Sequence, residues 1–128
     1  MQNHNVRRVA IADDSPAFLA AAASHIAGLP GFILAGTAST ALQALALVES
    51  AVPDVLLLDL GMAPKRAFDL VQLVKSRPYA PAIVALALFH TPEVAAAAAL
   101  AGADALLGKD GFVAGLGEVL TQLFPLAA

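Results

Sequence analysis

Short apolar runs that favour β-strands alternate five times with alanine- and leucine-rich stretches that favour helices. The clearest run is Val55 to Leu58, four consecutive apolar residues of the kind found in strands that are buried on both faces. Five strand–helix units in 128 residues predict one α/β domain, with a parallel sheet covered by helices on both sides. Because crossovers between parallel strands are right-handed, we expect the doubly wound strand order 2-1-3-4-5.

Turn and capping signals set the expected bounds of these elements. Ser15 can cap the first helix, Ser39 or Thr40 the second, and Asp110 the fifth. The strands are expected at residues 9–12, 32–38, 55–58, 82–88 and 105–108. The helices are expected to begin near residues 16, 40, 67, 92 and 111 and to end near residues 27, 52, 76, 102 and 124.

The composition excludes several classes of function. A net charge of −3 offers no basic surface for a phosphate backbone, so direct nucleic-acid binding is not expected. The absence of cysteine rules out disulfides, thiolate metal sites and thiol nucleophiles. The apolar runs are too short for a signal peptide or a membrane span, so we expect a cytoplasmic protein that does not bind membranes.

Carboxylates follow two strands that should be neighbours in this sheet. Asp13 and Asp14 come after the first strand, and Asp59 comes after the third. In an open α/β sheet the ligand crevice lies beyond the carboxyl ends of the strands where the strand order reverses, so the three carboxylates should converge there. Like charges held this close repel one another unless a cation joins them, and Mg²⁺ is the oxygen-binding cation that fits best.

Asp59 and Lys109 are the candidates for chemistry in this crevice. A carboxylate can act as a nucleophile and form an acyl phosphate, which makes Asp59 the candidate phosphoacceptor. Lys109 follows the fifth strand on the same rim, where its ammonium could neutralise an incoming phosphoryl charge. The alternative is purely structural: Asp13 and Asp14 would cap a helix, Asp59 would belong to a turn, and Lys109 would be an exposed charge.

Three segments carry a family resemblance that extends from about residue 6 to residue 124. They are Ile11-Ala-Asp-Asp-Ser-Pro16, Asp54-Val-Leu-Leu-Leu-Asp-Leu-Gly-Met62 and Ala101-Gly-Ala-Asp-Ala-Leu-Leu-Gly-Lys-Asp110. Together they resemble the landmarks of response-regulator receiver (CheY-like) domains. The Lys109-Asp110 pair and His90 are most similar to the branch whose receivers usually precede a DNA-binding helix-turn-helix domain.

The resemblance implies a flavodoxin-like (βα)5 fold and a role in two-component signal transduction. It implies that Asp13 and Asp14 help to hold Mg²⁺, with the carbonyl of Gly61 as a further ligand. It also implies that a histidine kinase or a histidine phosphotransfer protein phosphorylates Asp59. Such a domain is a signalling module rather than an enzyme, since it catalyses only its own phosphoryl transfer and hydrolysis.

The sequence departs from the family pattern where receivers respond to phosphorylation. The Thr or Ser expected at the end of the fourth strand is Ala87, and the aromatic residue expected in the fifth strand is Leu106. Thr91 comes too late in the sequence to replace the hydroxyl and is expected to cap the fourth helix. In the loop after the phosphoacceptor, Pro64 appears one position late and Ala67 replaces a common glycine. These departures predict an intact phosphate pocket with an atypical switch.

Two other functions fit parts of the sequence. A degenerate receiver would keep the fold and act as a protein-interaction module without phosphorylation. A phosphatase of the haloacid-dehalogenase type also places Asp residues after the first strand, but it needs a second acid where this chain has Ser15. The histidines His4, His25 and His90 are interpreted as ordinary polar residues rather than phosphodonors.

The predicted partners are the phosphodonor protein and an output protein. Residues 94–103 carry no charge, and the last helix carries only Glu118, so helices four and five offer an apolar surface to an output partner. The same lack of charge predicts a monomer or a weak homodimer. We expect one domain over residues 1–128, with a core at about 6–124 and no output domain.

Overall fold

The computed structural model describes residues 6–62 and 66–125. Its strands are β1 (Arg7–Ala12), β2 (Phe32–Ala38), β3 (Val55–Asp59), β4 (Ala82–Ala87) and β5 (Ala105–Gly108). Its α-helices are α1 (Pro16–Ala27), α2 (Ala41–Ala51), α3 (Ala67–Lys75), α4 (Pro92–Ala101) and α5 (Phe112–Leu123), with 3₁₀ turns at Leu60–Met62 and Lys109–Gly111. The strands are parallel in the order β2-β1-β3-β4-β5, so the predicted fold class and strand order are confirmed.

Apolar side chains on both faces of the sheet explain why helices cover both sides. In the central strand β3, Val55 and Leu57 pack in a cluster with residues of α1 and α5. Leu56 and Leu58 point the opposite way and pack with residues of α2, α3 and α4. This period-two alternation, apolar on both faces, is the pattern of a fully buried strand. None of the described helices is long and apolar enough to cross a membrane.

The observed elements differ from the expected bounds by no more than two residues. Thr40 rather than Ser39 caps α2, because the Thr40 hydroxyl accepts a hydrogen bond from the Gln43 N–H at 3.1 Å. The prediction that Asp110 caps α5 is wrong. The chain makes a 3₁₀ turn before α5, so Gly111 occupies the N-cap position without a side-chain bond, and the Asp110 carboxylate lies against Gly108 instead.

The edge strand β2 contains one irregularity. Val9 and Ala10 of β1 pair with Leu34 and Gly36, which leaves Ala35 as an extra residue in β2. A bulge of this kind bends the strand and increases its local twist. Leu34 and its neighbour Ile33 are exposed, so the bulge falls in the most apolar part of the free edge.

The register of the sheet determines which loop residues meet. Ala12 pairs with Leu58, so β1 and β3 end almost together. Asp13 and Asp59 directly follow this last residue pair in the two neighbouring strands, and they therefore lie side by side. Lys109 leaves the end of β5 at the same edge of the sheet, so all three reach the crevice expected from the strand order.

Stability should depend strongly on β3. Leu57→Ala removes a fully buried side chain from the centre of the sheet, and we expect it to lower the free energy of unfolding by about 2 to 5 kcal/mol. The same substitution at Leu42, which is 79% exposed, should cost less than about 1 kcal/mol. Urea unfolding of both variants measures the difference, and equal losses would contradict the placement of the core.

Candidate functional site

Three carboxylates meet at the carboxyl edge of β1 and β3. Asp13 is fully buried, Asp59 is 5% exposed, and Asp14 is exposed at the rim. One oxygen from each carboxylate lies within 4.8 Å of the other two. The structure therefore brings together the three residues that the strand order places in the crevice, with two of the charges removed from water.

Short local hydrogen bonds fix two of these carboxylates. Asp13 Oδ1 accepts the Ser15 N–H at 2.9 Å, and the Ser15 hydroxyl accepts the Phe18 N–H at 3.2 Å, which caps α1. Asp59 Oδ1 accepts the Gly61 N–H at 2.9 Å across the following turn. Ser15, rather than Asp13 or Asp14, is therefore the helix cap, whereas Asp59 does take part in a turn. Asp13 and Asp59 each use only one carboxylate oxygen in these bonds. Ser15 acts as a helix cap rather than as the second acid that a dehalogenase-type phosphatase requires.

Lys109 supplies the positive charge in the site. Its ammonium lies 2.5 Å from Asp13 Oδ2 and 3.3 Å from Asp59 Oδ2, and its side chain is 19% exposed. The alternative in which Lys109 is an exposed surface charge is therefore wrong. Because the ammonium stands between two buried carboxylates, it neutralises part of a charge cluster that would otherwise be strongly unfavourable.

The environment shifts the pKa values of Asp59 and Lys109. Burial raises the pKa of Asp59 above its ordinary value of 3.8, and the charge of Asp13 adds to this effect, while the Gly61 N–H and Lys109 oppose it. Burial on its own would lower the pKa of Lys109. The contacts with Asp13 and Asp59 outweigh burial, so the pKa of Lys109 is raised. The lysine is thus held in its charged form by the carboxylates beside it.

The donor set fits a hard divalent cation. All of its candidate ligand atoms are oxygens, which Mg²⁺ prefers over nitrogen or sulfur. Asp13 Oδ2 is buried without a well-directed hydrogen bond, and its close contact is the ion pair with Lys109. A buried carboxylate oxygen with no partner besides this ion pair could also bind a cation. The Gly61 N–H is directed to Asp59, and the role of the Gly61 carbonyl stays a prediction.

The atypical switch positions lie beside this pocket. Ala87 ends β4, one residue after Leu86, which pairs with Asp59. Leu106 is half-buried and packs on a small cluster beneath α4. The hydroxyl of Thr91 accepts the Val94 N–H at 3.2 Å, so its predicted role as the cap of α4 is confirmed. Of the loop departures, Ala67 is buried at the start of α3, and Pro64 lies outside the described residues.

The loop after β4 makes close contact with the end of β5. A Cβ atom added to Gly108 would lie 3.1 Å from the backbone nitrogen of His90 and would overlap the Asp110 carboxylate. Leu88 and Phe89 in the same loop are 70% and 60% exposed. The loop therefore borders the pocket with its backbone held close to β5 and two apolar side chains in solvent.

Two aromatic residues near Lys109 were not singled out by the sequence analysis as site residues. The Phe18 ring lies 4.7 Å from the Lys109 ammonium, and Phe112 packs edge-on against Phe18 with ring centroids 5.0 Å apart. Nothing in the spacing of Phe18 distinguishes it from an ordinary core residue of α1.

His25 and His90 lie outside the acidic cluster. The ring of His25 lies 6.0 Å from the ring of Phe112, and its Nε2 is buried without a hydrogen bond. His90 is exposed. His4 lies outside the described residues.

Comparison with known proteins identifies the family. Residues 9–119 match the model of the response regulator receiver domain. The chain belongs to this family. Receiver domains are signalling domains of two-component systems that are phosphorylated on aspartate, and they typically bind Mg²⁺ at an acidic pocket. The resemblance inferred from the three segments is therefore confirmed, and the described pocket has the acidic character that the family requires.

Curated relatives that match this chain include a NarL regulator. The chain is 28% identical over 110 residues to the nitrate/nitrite response regulator protein NarL of Escherichia coli, an alignment that covers 86% of this chain and 51% of the relative. The chain thus spans about half the length of the curated relatives it matches.

Solved receiver domains share the fold. The receiver domain of the NarL regulator from Mycobacterium tuberculosis superposes with a TM-score of 0.82 at 23% identity, covering 91% of this chain and 94% of that one. The response regulator domain of Thermotoga maritima CheB gives 0.83 at 19% identity, covering 96% and 99%. At these identities the match establishes the architecture of the receiver.

The raised pKa of Asp59 leads to a prediction for the metal-free receiver. A folded state that raises the pKa of an acid binds its proton more tightly than the unfolded chain does, so ionised Asp59 costs stability above that pKa. Asp59→Asn should therefore raise the free energy of unfolding at pH 7 by about 1 to 2 kcal/mol. The gain should shrink as the pH falls through the raised pKa and should be lost below the ordinary value of 3.8, where Asp59 is protonated in both the folded and the unfolded protein.

Thermal unfolding in a chelating buffer between pH 4 and pH 7 measures this effect. Asp69→Asn, which neutralises an exposed carboxylate in the first turn of α3, is the matched control and should change stability by less than about 0.5 kcal/mol. A less stable Asp59→Asn protein at pH 7 would show that the carboxylate is already fully compensated by Lys109 and Gly61.

Proposed function

We propose that this receiver accepts a phosphoryl group on Asp59 from the phosphohistidine of a histidine kinase or a phosphotransfer protein, in a Mg²⁺-dependent reaction in the cytoplasm. The observation that supports this most directly is the arrangement of Asp13, Asp14 and Asp59 within 4.8 Å, with the Lys109 ammonium between the two buried carboxylates. A nucleophile, a cation-binding oxygen set and a mobile positive charge are the parts that phosphoryl transfer needs.

Each residue has a distinct task in this reaction. An Asp59 oxygen attacks phosphorus while the phosphorus–nitrogen bond of the donor breaks, and the electron pair of that bond returns to the imidazole. Asp59 Oδ1 already accepts the Gly61 N–H, which holds the carboxylate plane during attack. The Lys109 ammonium, 3.3 Å from Asp59 Oδ2, can follow the negative charge onto the phosphoryl oxygens.

Mg²⁺, held by Asp13, Asp14 and Asp59 with the Gly61 carbonyl as a further ligand, would supply charge neutralisation at the phosphoryl oxygens. The buried Asp13 oxygen without a hydrogen bond and the exposed Asp14 support this assignment, because one gives a fixed ligand and the other gives access from solvent. In this proposal the domain performs only two reactions, the phosphorylation of Asp59 and the hydrolysis of the acyl phosphate formed there.

The output step of this receiver is atypical. A hydroxyl at position 87 would bond a phosphoryl oxygen only when the loop after β4 has moved inward, and such a bond biases the equilibrium towards the active state. Ala87 and Leu106 lack the groups for this relay. Phosphorylation should therefore proceed normally while the movement of β4 and α4 is weaker. These two residues also favour a second candidate function, a degenerate receiver that recruits partners without phosphorylation.

An output partner would meet this receiver at its β5 edge. Helices α4 and α5 pack on opposite faces of the sheet and flank β5. Each carries an exposed apolar side chain, Leu100 on the side of α4 near α3 and Val113 on the side of α5 near α1. Residues 94–103 contain no charged side chain, so salt bridges cannot form there. We propose recruitment through apolar contacts by a monomer or a weak homodimer.

The phosphoacceptor assignment predicts a simple result. With Mg²⁺ and a small phosphodonor such as acetyl phosphate, the native protein should gain the mass of one phosphoryl group, and Asp59→Asn should gain none. Asp69→Asn should behave like the native protein, and a chelator should abolish the adduct. Intact-mass spectrometry measures all four samples. An adduct that persists in Asp59→Asn would move the acceptor elsewhere.

The same experiment separates the two candidate functions. A native protein that binds millimolar Mg²⁺ in an NMR titration but never acquires an adduct would favour the degenerate receiver. A protein whose amide shifts around Asp13, Asp14 and Asp59 do not respond to Mg²⁺ would remove the metal site as well.

Restoring the hydroxyl should strengthen the switch. A hydrogen bond to a charged oxygen contributes roughly 1.5 to 3 kcal/mol, so Ala87→Thr should shift the active population by a factor of about 10 to 100. We expect beryllofluoride to displace the amide signals of residues 85–100 more in Ala87→Thr than in the native protein, while the rate of phosphorylation changes little. Equal, large displacements in both proteins would show that the missing hydroxyl is irrelevant.

A further inference from the structure

The Lys109 ammonium has a third neighbour besides its two carboxylates. The Phe18 ring lies beneath it, with 4.7 Å between Nζ and the ring centroid. An ammonium over an aromatic face is attracted by the ring electrons, and the attraction grows as the pair loses contact with water. The side chain of Lys109 is only 19% exposed, so this contact is in the partly desolvated range.

The position of Phe18 is tied to the acidic pocket through the backbone. Asp13 Oδ1 accepts the Ser15 N–H, and the Ser15 hydroxyl accepts the Phe18 N–H. Two consecutive hydrogen bonds thus link a buried carboxylate to the residue whose ring meets Lys109. Phe18 sits in the first turn of α1, where this chain of contacts leaves it little freedom to move relative to Asp13.

The Phe18 ring is also held by a residue that lies close to Lys109 in the sequence. Phe112 is buried and packs edge-on against Phe18, with 5.0 Å between the centroids and 72° between the planes. Phe112 begins α5, immediately after the 3₁₀ turn that starts with Lys109. The lysine and the aromatic pair therefore belong to one packed unit that joins the start of α1 to the start of α5.

A lysine side chain has four rotatable carbon–carbon bonds, and its freedom must be restricted if its charge is to act at one place. The ammonium has three N–H groups. Two carboxylate oxygens lie 2.5 and 3.3 Å from it, and the Phe18 ring centroid lies 4.7 Å from it. The ring thus limits the positions that the ammonium can take when an incoming group competes for the carboxylates.

We infer that Phe18 is a positioning residue, whose ring keeps the Lys109 ammonium at the pocket so that it can meet the phosphoryl group on Asp59. The inference rests on the proposed function for its effect on rate, but the position of Lys109 can be measured without any phosphorylation. Phe18 touches neither the substrate nor the metal in this assignment. A structural role alone would need only an apolar side chain of similar size.

Three variants separate positioning from packing. Phe18→Leu keeps an apolar side chain but removes the ring, and Phe18→Tyr keeps the ring. Phe32→Leu is the matched control, because Phe32 is also partly buried against the core cluster shared with α1 and α5 but lies at the start of β2, away from the pocket. Urea unfolding of each variant checks that the fold is retained.

The first readout is the NMR signal of the Lys109 ε-methylene protons in the unphosphorylated protein. The ring current of Phe18 should shift this signal in the native protein, in Phe18→Tyr and in Phe32→Leu, and the shift should be lost in Phe18→Leu. The second readout is the rate constant for phosphorylation by acetyl phosphate, which should fall about fivefold in Phe18→Leu. It should stay within about twofold of native in the other two variants, and Mg²⁺ affinity should be unchanged in all three.

The outcomes are distinct. An ε-methylene signal that does not respond to Phe18→Leu would overturn the inference whatever the rates are. A lost ring-current shift with an unchanged rate would also overturn it, because the contact would then have no part in the reaction. Equal slowing in Phe18→Leu and Phe32→Leu would assign the effect to packing. A native protein that cannot be phosphorylated would overturn the proposed function. NMR relaxation of the Lys109 ε-methylene group, which should become more mobile in Phe18→Leu but not in Phe32→Leu, would still decide whether Phe18 restricts Lys109.

Discussion

The repulsion between buried carboxylates is the constraint on which the rest of this site depends. Parallel pairing of β1 and β3 places Asp13 and Asp59 side by side with little access to water, and such a pair is unfavourable without a positive charge. The Lys109 ammonium supplies one charge in the metal-free state. A divalent cation would add more, so binding one would stabilise the pocket. The fold thus carries an electrostatic cost that such binding would relieve.

Backbone geometry and side-chain chemistry contribute separately to this receiver. The pocket follows from the ends of β1, β3 and β5, which are fixed by sheet register and apolar burial. In the switch proposed above, the response to phosphorylation depends instead on individual side chains, and Ala87 and Leu106 lack the hydroxyl and the aromatic ring that it would use. A receiver can therefore keep the machinery for phosphoryl transfer while the coupling to α4 weakens. The two properties respond to different kinds of substitution.

Much of this organisation could be predicted from the sequence, because it depends on the spacing of apolar residues and on the residues that follow each strand. The five alternating strand–helix units predicted the sheet order, and the acidic residues after β1 and β3 predicted the convergence of Asp13, Asp14 and Asp59. The competition between alternative local hydrogen-bonding patterns was harder to predict. Asp110 looks like a helix cap, but the chain closes a 3₁₀ turn first, so backbone hydrogen bonds decided the outcome. The Phe18–Lys109 contact joins residues 91 positions apart, and no pattern within one helix could predict it.

The extra residue in β2 affects the behaviour of this chain in concentrated solution. Edge strands offer unpaired N–H and C=O groups to other molecules, and Ile33 and Leu34 would make this edge attractive to a second strand. The bulge at Ala35 interrupts the regular spacing of those groups just after the two exposed residues. An approaching strand would lose its register at that point. We therefore expect the irregularity to protect the protein against edge-to-edge aggregation at β2, the side of the sheet farthest from β5.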